Sequence, residues 1–507
     1  MRTKKSFYNV VITAIYYMVI TIIGLFLRKI FLECLGIGYI GLDTVFANIL
    51  SLLGLVELGV GPAITYRLYK PLAEGNEKEI ILLMAVYKKF YNCIAMAVSI
   101  LGIILACFLP IIVKEAPVQG GSLIVCYILY LLATIASYHL ANKRSLLVAD
   151  QQQYTTMIVD IVFNVVVFGL KVVVLKVTRS YILVLVINIL RVVVSNIVIS
   201  KICDKEYPFL RIKRDFQKKE IGQKAQDMVL DIKYIMLHKF CNYVYSSTDG
   251  IVISSFMGVS SVGLLANYNM IVNVVSNMFM QCSSSIQASI GNLINSVDSD
   301  KNTVKINLRR LSYIYYSILS FFTISLFCLL SPFIALWIGE EYVISMSIVL
   351  VICINMYIYS FYQPIANMYT VLGLFKGDKV TSPIAAVVNL LISILTVKYY
   401  GLIGVYIGTI LGSCIYIFGR TYIVYKKYFD ENPIGYYKLI FKYMSITLIE
   451  GSVTWIVVQL IGEGVIQFVI KMVVCILVPN VMNYLLFKNS EEFSYCKNLL
   501  CKLIRRR

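Results

Sequence analysis

Residues 7–32 read FYNVVITAIYYMVITIIGLFLRKIFL, an apolar run long enough to cross a bilayer as one helix. Runs of this kind recur as far as residue 487, and the chain is 59% hydrophobic and only 14% charged. Globular proteins carry roughly 25% charged residues and no such runs, so a water-soluble fold could not bury this much apolar surface. Continuous runs also favour helices over the short alternating strands of a β-barrel. The sequence therefore predicts an all-α polytopic membrane protein.

Hydropathy places about fourteen membrane-spanning helices along the chain. The predicted spans 1 to 14 are 7–32, 40–66, 90–113, 122–140, 155–177, 181–202, 235–256, 262–289, 311–338, 345–373, 381–399, 402–425, 441–461 and 465–487. A basic, partly helical stretch over 203–233 interrupts this pattern after the sixth span. The connections on one side of the membrane are short, which leaves no room for an extracytoplasmic domain.

The distribution of basic residues predicts the orientation of these spans. With the N-terminus inside, the outer segments hold Lys114, Arg179, Lys398 and few other cations, whereas the inner segments hold most of the lysines and arginines. This asymmetry predicts a bacterial cytoplasmic membrane protein with both termini in the cytoplasm. It also accounts for the net charge of +19, so nucleic-acid binding is not expected.

Residues that would indicate covalent or metal chemistry are scarce. The thirteen cysteines are scattered without a CxxC spacing, and the chain has two histidines, His139 and His238. We expect reduced cysteines, no metal site and no cofactor. Neither a phosphate-binding Walker loop nor a nucleophile-elbow or zincin motif is found, so the chain is not predicted to be an enzyme.

A short repeat divides the fourteen spans into two halves. Leu35-Gly36-Ile37-Gly38-Tyr39-Ile40-Gly41-Leu42 opens span 2, and Met257-Gly258-Val259-Ser260-Ser261-Val262-Gly263-Leu264 opens span 8. Gly36 aligns with Gly258 and Gly41 with Gly263, at turns where a positive φ suits glycine. Turn glycines between apolar helices also match by chance. The predicted organisation is two six-helix halves at 1–202 and 235–430, a connector at 203–234, two further helices at 431–487 and a basic tail at 488–507.

Three stretches of the sequence resemble Wzx-type polysaccharide repeat-unit flippases of the multidrug/oligosaccharidyl-lipid/polysaccharide exporter superfamily. They are residues 36–72, Ser247-Thr248-Asp249 and Val262-Gly263. The resemblance implies two six-helix bundles in a V, open alternately to either face, and two last helices that help to form a groove for a lipid tail. It implies an undecaprenyl-diphosphate-linked oligosaccharide as substrate, destined for capsule, O-antigen or exopolysaccharide. A polysaccharide polymerase is a candidate partner, a monomer is expected, and coupling to H⁺ or Na⁺ is an open alternative to transport without an ion.

Charged residues inside the predicted spans are candidates for the head-group path, because a charge in the membrane is costly. Arg28 and Lys29 lie late in span 1. Two interpretations are open for them: they bind phosphate, or their side chains extend to the membrane interface. Lys171 in span 5 and Arg191 in span 6 are predicted to face the cavity, with an interhelical contact as the alternative. Asp249 in span 7 falls one repeat position from Arg28 and is predicted to pair with a cation or to titrate; a buried structural pair is the alternative.

Further candidates concern gating and sugar contact. Glu57 precedes Gly59, Gly61 and Pro62, a run that should kink span 2 and could serve coupling or gating, or could only kink the helix. Glu450 in span 13 is a weaker candidate. Asn267 and Tyr268 lie near Tyr243, Tyr245 and Asn269 in sequence and could contact sugars. The stronger alternative is that the tyrosines lie at the membrane interface and the asparagines hydrogen-bond between helices.

Three other functions remain to be weighed against a lipid-linked oligosaccharide flippase. A peptidoglycan-precursor flippase and a cation-coupled drug or toxin extruder share the superfamily fold. The extruder would be favoured by twelve spans and a more acidic cavity. An integral-membrane polysaccharide polymerase is less favoured, since it would be expected to carry a sizeable outer loop.

Overall fold

The computed structural model describes residues 2–57, 60–139, 141–211, 247–295, 300–374 and 377–505, and within these ranges the chain forms helices and no strand. The helices are α1 (Arg2–Leu35), α2 (Ile37–Leu53), α3 (Val60–Glu74), α4 (Glu77–Ala106), α5 (Leu109–Ile112), α6 (Gly121–His139), α7 (Ala141–Ala149), α8 (Gln153–Thr178), α9 (Tyr181–Glu206), α10 (247–257), α11 (Val259–Asn295), α12 (Lys301–Ile338), α13 (Met346–Phe361), α14 (Gln363–Val371), α15 (Asp378–Tyr400), α16 (Leu402–Val424), α17 (Ile434–Gln459), α18 (Val465–Phe487) and α19 (Glu491–Arg505).

Twelve helices among the described residues are long and apolar enough to cross a membrane. This confirms the prediction of an all-α polytopic membrane protein. Two of the predicted spans are not among the twelve. Span 2 begins with α2, which is apolar but has 17 residues. Most of span 7 lies outside the described residues, as does the basic stretch from residue 212 onward.

The chain divides into two compact units, unit 1 (Met1–Gly263) and unit 2 (Leu264–Arg507). In unit 1, α8 packs against α1 and α9, and α6 packs against α4 and α9. In unit 2, α12 packs against α13, α17 and α18, while α15 and α16 form a tight antiparallel pair. These units are defined by packing alone, so the repeat boundaries derived from the sequence stay a prediction.

The glycines of the sequence repeat occupy positions that require glycine. Gly36 and Gly258 both have positive φ, at +86° and +83°, as the turn argument predicts. A Cβ atom on Gly41 would lie 1.7 Å from the carbonyl oxygen of Val259, and one on Gly263 would lie 2.5 Å from that of Ile37. Within unit 1 the repeat glycines thus allow α2 and the first turn of α11 to touch backbone to backbone.

Two of the predicted spans are broken rather than straight. Span 2 leaves the α-helix at Leu53, passes through a 3₁₀ turn over Gly54–Glu57 and resumes as α3 at Val60. The predicted kink is therefore present, and Pro62 falls in the first turn of α3, where proline is tolerated. The span predicted at 345–373 corresponds to one candidate span, Met346–Val371. Within it the α-helix breaks at Tyr362, because Pro364 lacks the N–H that would continue α13 into α14.

Candidate functional site

Four side chains of unit 1 form what we call the outer cluster, named from the predicted orientation: Arg28 of α1, Asp43 of α2, Lys171 of α8 and Tyr181 of α9. The Tyr181 hydroxyl donates a hydrogen bond of 3.1 Å to Asp43 Oδ1. Arg28 and Lys171 both act electrostatically on the Asp43 carboxylate. Two cations therefore share one anion at a depth where charge is costly, which is the arrangement expected of a binding site rather than of lipid-facing residues.

The packing of α8 explains why Lys171 faces inward. Asp160, Asn164 and Lys171 are half-buried and recur at intervals of four and seven residues, which places them on one face of the helix. Val162 and Val173, on other faces, are exposed and suit contact with lipid. This amphipathic pattern gives α8 a polar stripe along its length.

A second group, the inner cluster, lies along the same stripe. Arg144 of α7 donates two hydrogen bonds to Asp160, of 2.6 Å from NH1 to Oδ2 and 2.9 Å from NH2 to Oδ1. The Tyr16 hydroxyl of α1 lies within electrostatic range of Asp160, Arg144 and Arg191. Because Arg191 also acts on Lys171, it links the inner cluster to the outer one.

The two clusters and Arg191 form a continuous charged track within unit 1. Among the described residues whose interactions define it, the track contains four cations, Arg28, Lys171, Arg191 and Arg144, and two carboxylates, Asp43 and Asp160. All six residues are half-buried, so each is partly shielded by the protein and partly accessible. A track with more cations than anions is suited to an anionic ligand.

The sequence candidates Arg28, Lys171 and Arg191 thus come together in the track. Lys29 is exposed on α1, next to the inward-facing Arg28. Asp249 is half-buried on α10, where Gly250 packs so closely on α2 that a Cβ atom would meet Asn48 at 2.0 Å. Asp43 acts electrostatically on Arg28, and the pairing of Asp249 with Arg28 stays a prediction.

Glu57 lies at the break of span 2 and is held by tyrosines. The Tyr91 hydroxyl donates to Glu57 Oε1, and Tyr87 stacks on Tyr91 with ring centroids 4.5 Å apart. Tyr87 in turn shares a 2.8 Å hydrogen bond with Ser145, the neighbour of Arg144. The break is thereby connected to α7, the helix that carries part of the inner cluster.

The other gating candidates surround the same break. A Cβ atom on Gly61 would lie 3.4 Å from the Tyr91 hydroxyl, an ordinary to tight contact. Gly59 and the side chain of Pro62 lie outside the described residues. The gating role of these residues stays a prediction.

Asn267 and Tyr268 of α11 belong to unit 2 and are both fully buried. The Tyr268 hydroxyl accepts a 3.1 Å hydrogen bond from the Ile344 backbone and lies 3.4 Å from Ser331. Neither side-chain polar atom of Asn267 has a hydrogen-bond partner among the described residues. Tyr268 therefore has contacts that support the fold, and the sugar-contact role of both residues stays a prediction.

Unit 2 also buries three charged residues that the sequence analysis ranked low or missed, namely Glu450, Arg420 and Lys471 of α18. Glu450 of α17 is fully buried and accepts a 3.0 Å hydrogen bond from Tyr316 of α12. Arg420 of α16 donates to the Tyr362 hydroxyl at the break between α13 and α14. Its guanidinium lies 4.9 Å from the ring centroids of both Tyr369 and Tyr416. Arg420 is thus enclosed by tyrosines, and Glu450 is hydrogen-bonded to one.

An apolar cavity of about 370 Å³ lies in unit 2, lined by α12, α13 and α17. Phe327, Leu448 and Trp455 contribute to its apolar wall, and Tyr357 with Thr447, 3.2 Å apart, forms a small polar spot. This volume is within the range of about 300–1,000 Å³ typical of ligand pockets. The helix of predicted span 13 therefore borders a space suited to an apolar ligand.

The sequence analysis did not single out four residues of the candidate site, namely Asp43, Asp160, Arg144 and Tyr181. Asp43 and Asp160 lie inside predicted spans 2 and 5, so the cost of charge in the membrane could have identified them. Arg144 lies in a predicted inner segment, where the charge asymmetry accounts for a cation without any specific contact.

Comparison with solved structures shows which fold this is. The structure of the lipid II flippase MurJ in an inward closed conformation matches with a TM-score of 0.67 and 17% identity, covering 94% of this chain and 98% of that one. An inward-facing multidrug resistance MATE family transporter of the MOP superfamily matches with a TM-score of 0.60 and 13% identity, over 79% and 93% of the two chains. A point mutant of the MATE transporter VcmN from Vibrio cholerae matches with a TM-score of 0.55 and 14% identity, over 85% and 99%.

These likenesses establish that the chain has the fold of MOP-superfamily flippases and transporters. No known family profile matches the chain, and no curated protein matches its sequence. The structural neighbours are transporters and flippases rather than enzymes, and the protein is a multi-pass membrane protein.

Proposed function

We propose that this protein is a flippase that moves an undecaprenyl-diphosphate-linked oligosaccharide repeat unit across a bacterial cytoplasmic membrane by alternating access. The product would serve capsule, O-antigen or exopolysaccharide synthesis, with both termini of the chain in the cytoplasm. The observation that carries the proposal is the charged track of unit 1, which has four cations against two carboxylates. A diphosphate needs such a path because it cannot cross the hydrocarbon core without partners.

The chemistry of the track fits a phosphate better than a neutral or cationic ligand. Arg28, Arg144 and Arg191 present planar guanidinium forks, which bind oxyanions through paired hydrogen bonds. Lys171 adds a point charge beside them. A cationic drug would be repelled by this excess of positive charge, so the track argues against the extruder alternative.

The apolar cavity beside α17 supports a lipid-linked substrate on separate grounds. Its wall is almost entirely hydrocarbon and aromatic, and it is formed in part by the helix of predicted span 13. The resemblance to Wzx-type flippases implies that the last two helices help to hold the lipid tail. An isoprenoid chain is the occupant we propose for this cavity.

A peptidoglycan precursor is the second candidate substrate, and the TM-score of 0.67 to the lipid II flippase supports it. Both candidates share the undecaprenyl diphosphate and differ in the sugar part. Competition between the two lipids for transport would separate them: the better substrate inhibits transport of the other at the lower concentration. Coupling to H⁺ or Na⁺ is proposed through Asp249 or Glu57, and transport that survives collapse of both ΔpH and Δψ would refute it.

The central test compares two neighbouring cations of α1. Arg28→Gln removes a side chain that acts on Asp43, whereas Lys29→Gln removes an exposed one. In proteoliposomes with a labelled undecaprenyl-diphosphate-linked oligosaccharide, we expect Arg28→Gln to slow flipping about 10- to 100-fold, the loss of one charge-assisted hydrogen bond of roughly 1.5–3 kcal/mol. Lys29→Gln should stay within about twofold of the wild type, since exposed charges contribute little. Equal rates for wild type and Arg28→Gln would refute the proposal.

A further inference from the structure

The inner cluster has a geometry that suits an exchange of anions. Arg144 holds Asp160 through two parallel hydrogen bonds of 2.6 and 2.9 Å, the same fork that arginine offers to a phosphate. The pair is not sealed, since the Arg144 side chain is 32% exposed and that of Asp160 is 15% exposed. A phosphate oxygen could therefore take the place of the carboxylate without a change in the position of Arg144.

The electrostatic balance at this cluster leaves room for a further negative charge. Arg191 acts electrostatically on the Tyr16 hydroxyl, as Arg144 and Asp160 do, so two guanidinium groups and one carboxylate lie near the same hydroxyl. Tyr16 adds a hydroxyl donor at the same place. The outer cluster has the same composition. Arg28 and Lys171 act on the carboxylate of Asp43, and Tyr181 is the hydroxyl donor.

The two clusters are too far apart to act as one binding site. Asp160 and Lys171 lie on the same stripe of α8, eleven residues apart, which corresponds to about 16 Å at 1.5 Å per residue. A diphosphate, two phosphate groups that share one oxygen, cannot reach both at once. Asn164 lies between them on the stripe, and its amide donates a 2.7 Å hydrogen bond to the Asp160 carbonyl.

We propose that Arg144, Asp160 and Arg191 form a second anion station, at which an isoprenoid diphosphate displaces Asp160 from Arg144 before it passes to the outer cluster. This inference rests on the proposed function and deepens it. Asp160 acts as an internal competitor: its return to Arg144 expels the diphosphate from the station. The carboxylate therefore lowers the affinity of the station and speeds release from it.

The chain offers a matched control one residue away. Lys143, also on α7, contacts Asp204 at 2.7 Å and Ser200 at 2.8 Å, and its side chain and that of Asp204 are 24% and 22% exposed. This ion pair joins α7 to α9 with similar burial but lacks a planar fork. Asp204→Asn therefore breaks a comparable helix–helix ion pair outside the track.

The test titrates purified full-length protein in detergent with undecaprenyl diphosphate and measures flipping in proteoliposomes. We expect Asp160→Asn to bind about tenfold more tightly and to flip more slowly, because the competitor is removed. Arg144→Gln should bind about tenfold more weakly. The double variant should match Arg144→Gln alone, since Asp160 acts through Arg144. Asp204→Asn should leave the affinity within about twofold of the wild type.

Other results would overturn the inference. If Asp160→Asn binds no more tightly than Asp204→Asn, the Arg144–Asp160 pair is only a structural contact. Arg144→Lys keeps the charge and loses the fork, so it should fold and bind more weakly; wild-type affinity in that variant would also refute the station. If Arg28→Gln weakens binding and the inner variants do not, the proposed function stands and the second station fails. If the wild type binds no undecaprenyl diphosphate, the proposed function fails with it.

Discussion

Unit 1 and unit 2 both carry charged residues within membrane-spanning helices, yet they accommodate them differently. In unit 1 the charges of the track are half-buried and act on one another along a polar stripe of α8. In unit 2, Glu450 and Arg420 are more deeply buried. Glu450 accepts a hydrogen bond from Tyr316, and Arg420 is enclosed by Tyr362, Tyr369 and Tyr416.

The difference indicates two roles for intramembrane charge. Arg420 has a hydrogen bond and cation–π contacts supplied within the protein, so its contribution is to stability and helix geometry. A half-buried charge that shares its counter-ion with another cation keeps capacity for an external partner. On this basis we propose that the charges of unit 1 are the binding groups and that Arg420 of unit 2 fixes the broken helix pair α13 and α14.

The largest effect is expected from Arg420→Ala. The variant loses a charge-assisted hydrogen bond to Tyr362, worth roughly 1.5–3 kcal/mol, and cation–π contacts worth about 0.5–2 kcal/mol each. We expect the free energy of unfolding of unit 2 to fall by about 3–5 kcal/mol. The measurement is alkylation of buried Cys353 in increasing denaturant, mapped by mass spectrometry, with Cys126 as the reporter for unit 1. Arg309→Ala, at an exposed position of α12, is the control; an equal shift in both variants would contradict the structural role.

A smaller effect with a different signature is expected from Asp43→Ala in unit 1. Its loss leaves Arg28 and Lys171 without the carboxylate they share, and we expect a cost of about 1–3 kcal/mol, between that of surface and buried ion pairs. Inorganic diphosphate should restore much of this stability, because an anion that binds the folded state stabilises it. Alkylation of Cys126 gives the readout.

The control for Asp43 is Glu74→Ala, which breaks an exposed pair with Lys70, whose side chain is 83% exposed. That variant should lose no more than about 1 kcal/mol and gain nothing from diphosphate. If diphosphate stabilises wild type, Asp43→Ala and Glu74→Ala equally, the outer cluster does not bind the anion and the contrast between the units loses its basis.

Much of the architecture could be predicted because the membrane restricts it so strongly. Apolar runs placed the ends of α8, α9, α15, α16 and α18 within a few residues, since a span must be helical and about 20 residues long. The repeat glycines were predicted from turn chemistry, and Gly36 and Gly258 do have positive φ. These inferences rest on local rules that a single sequence carries.

The site was predicted in part, for a different physical reason. Arg28, Lys171 and Arg191 stood out because each is costly in a span, but their partners depend on contacts between helices distant in sequence. Asp43 and Asp160 satisfied the same criterion and were overlooked. The contact of Arg144 with Asp160 depends on how α7 packs against α8, which neither hydropathy nor charge asymmetry encodes.

The smallest effect on stability is expected at the break of span 2. It tests whether a tyrosine also stabilises a charged residue in unit 1. Tyr91→Phe removes the hydroxyl that donates to Glu57 and should cost about 0.5–1.5 kcal/mol of unfolding free energy. Tyr127→Phe is matched in burial and lies in the same unit, but the Tyr127 hydroxyl has no hydrogen-bond partner among the described residues. That variant should change stability by less than about 0.5 kcal/mol. Alkylation of Cys203 during chemical denaturation would measure both, and equal losses would mean that the Tyr91 hydroxyl contributes nothing specific to holding Glu57.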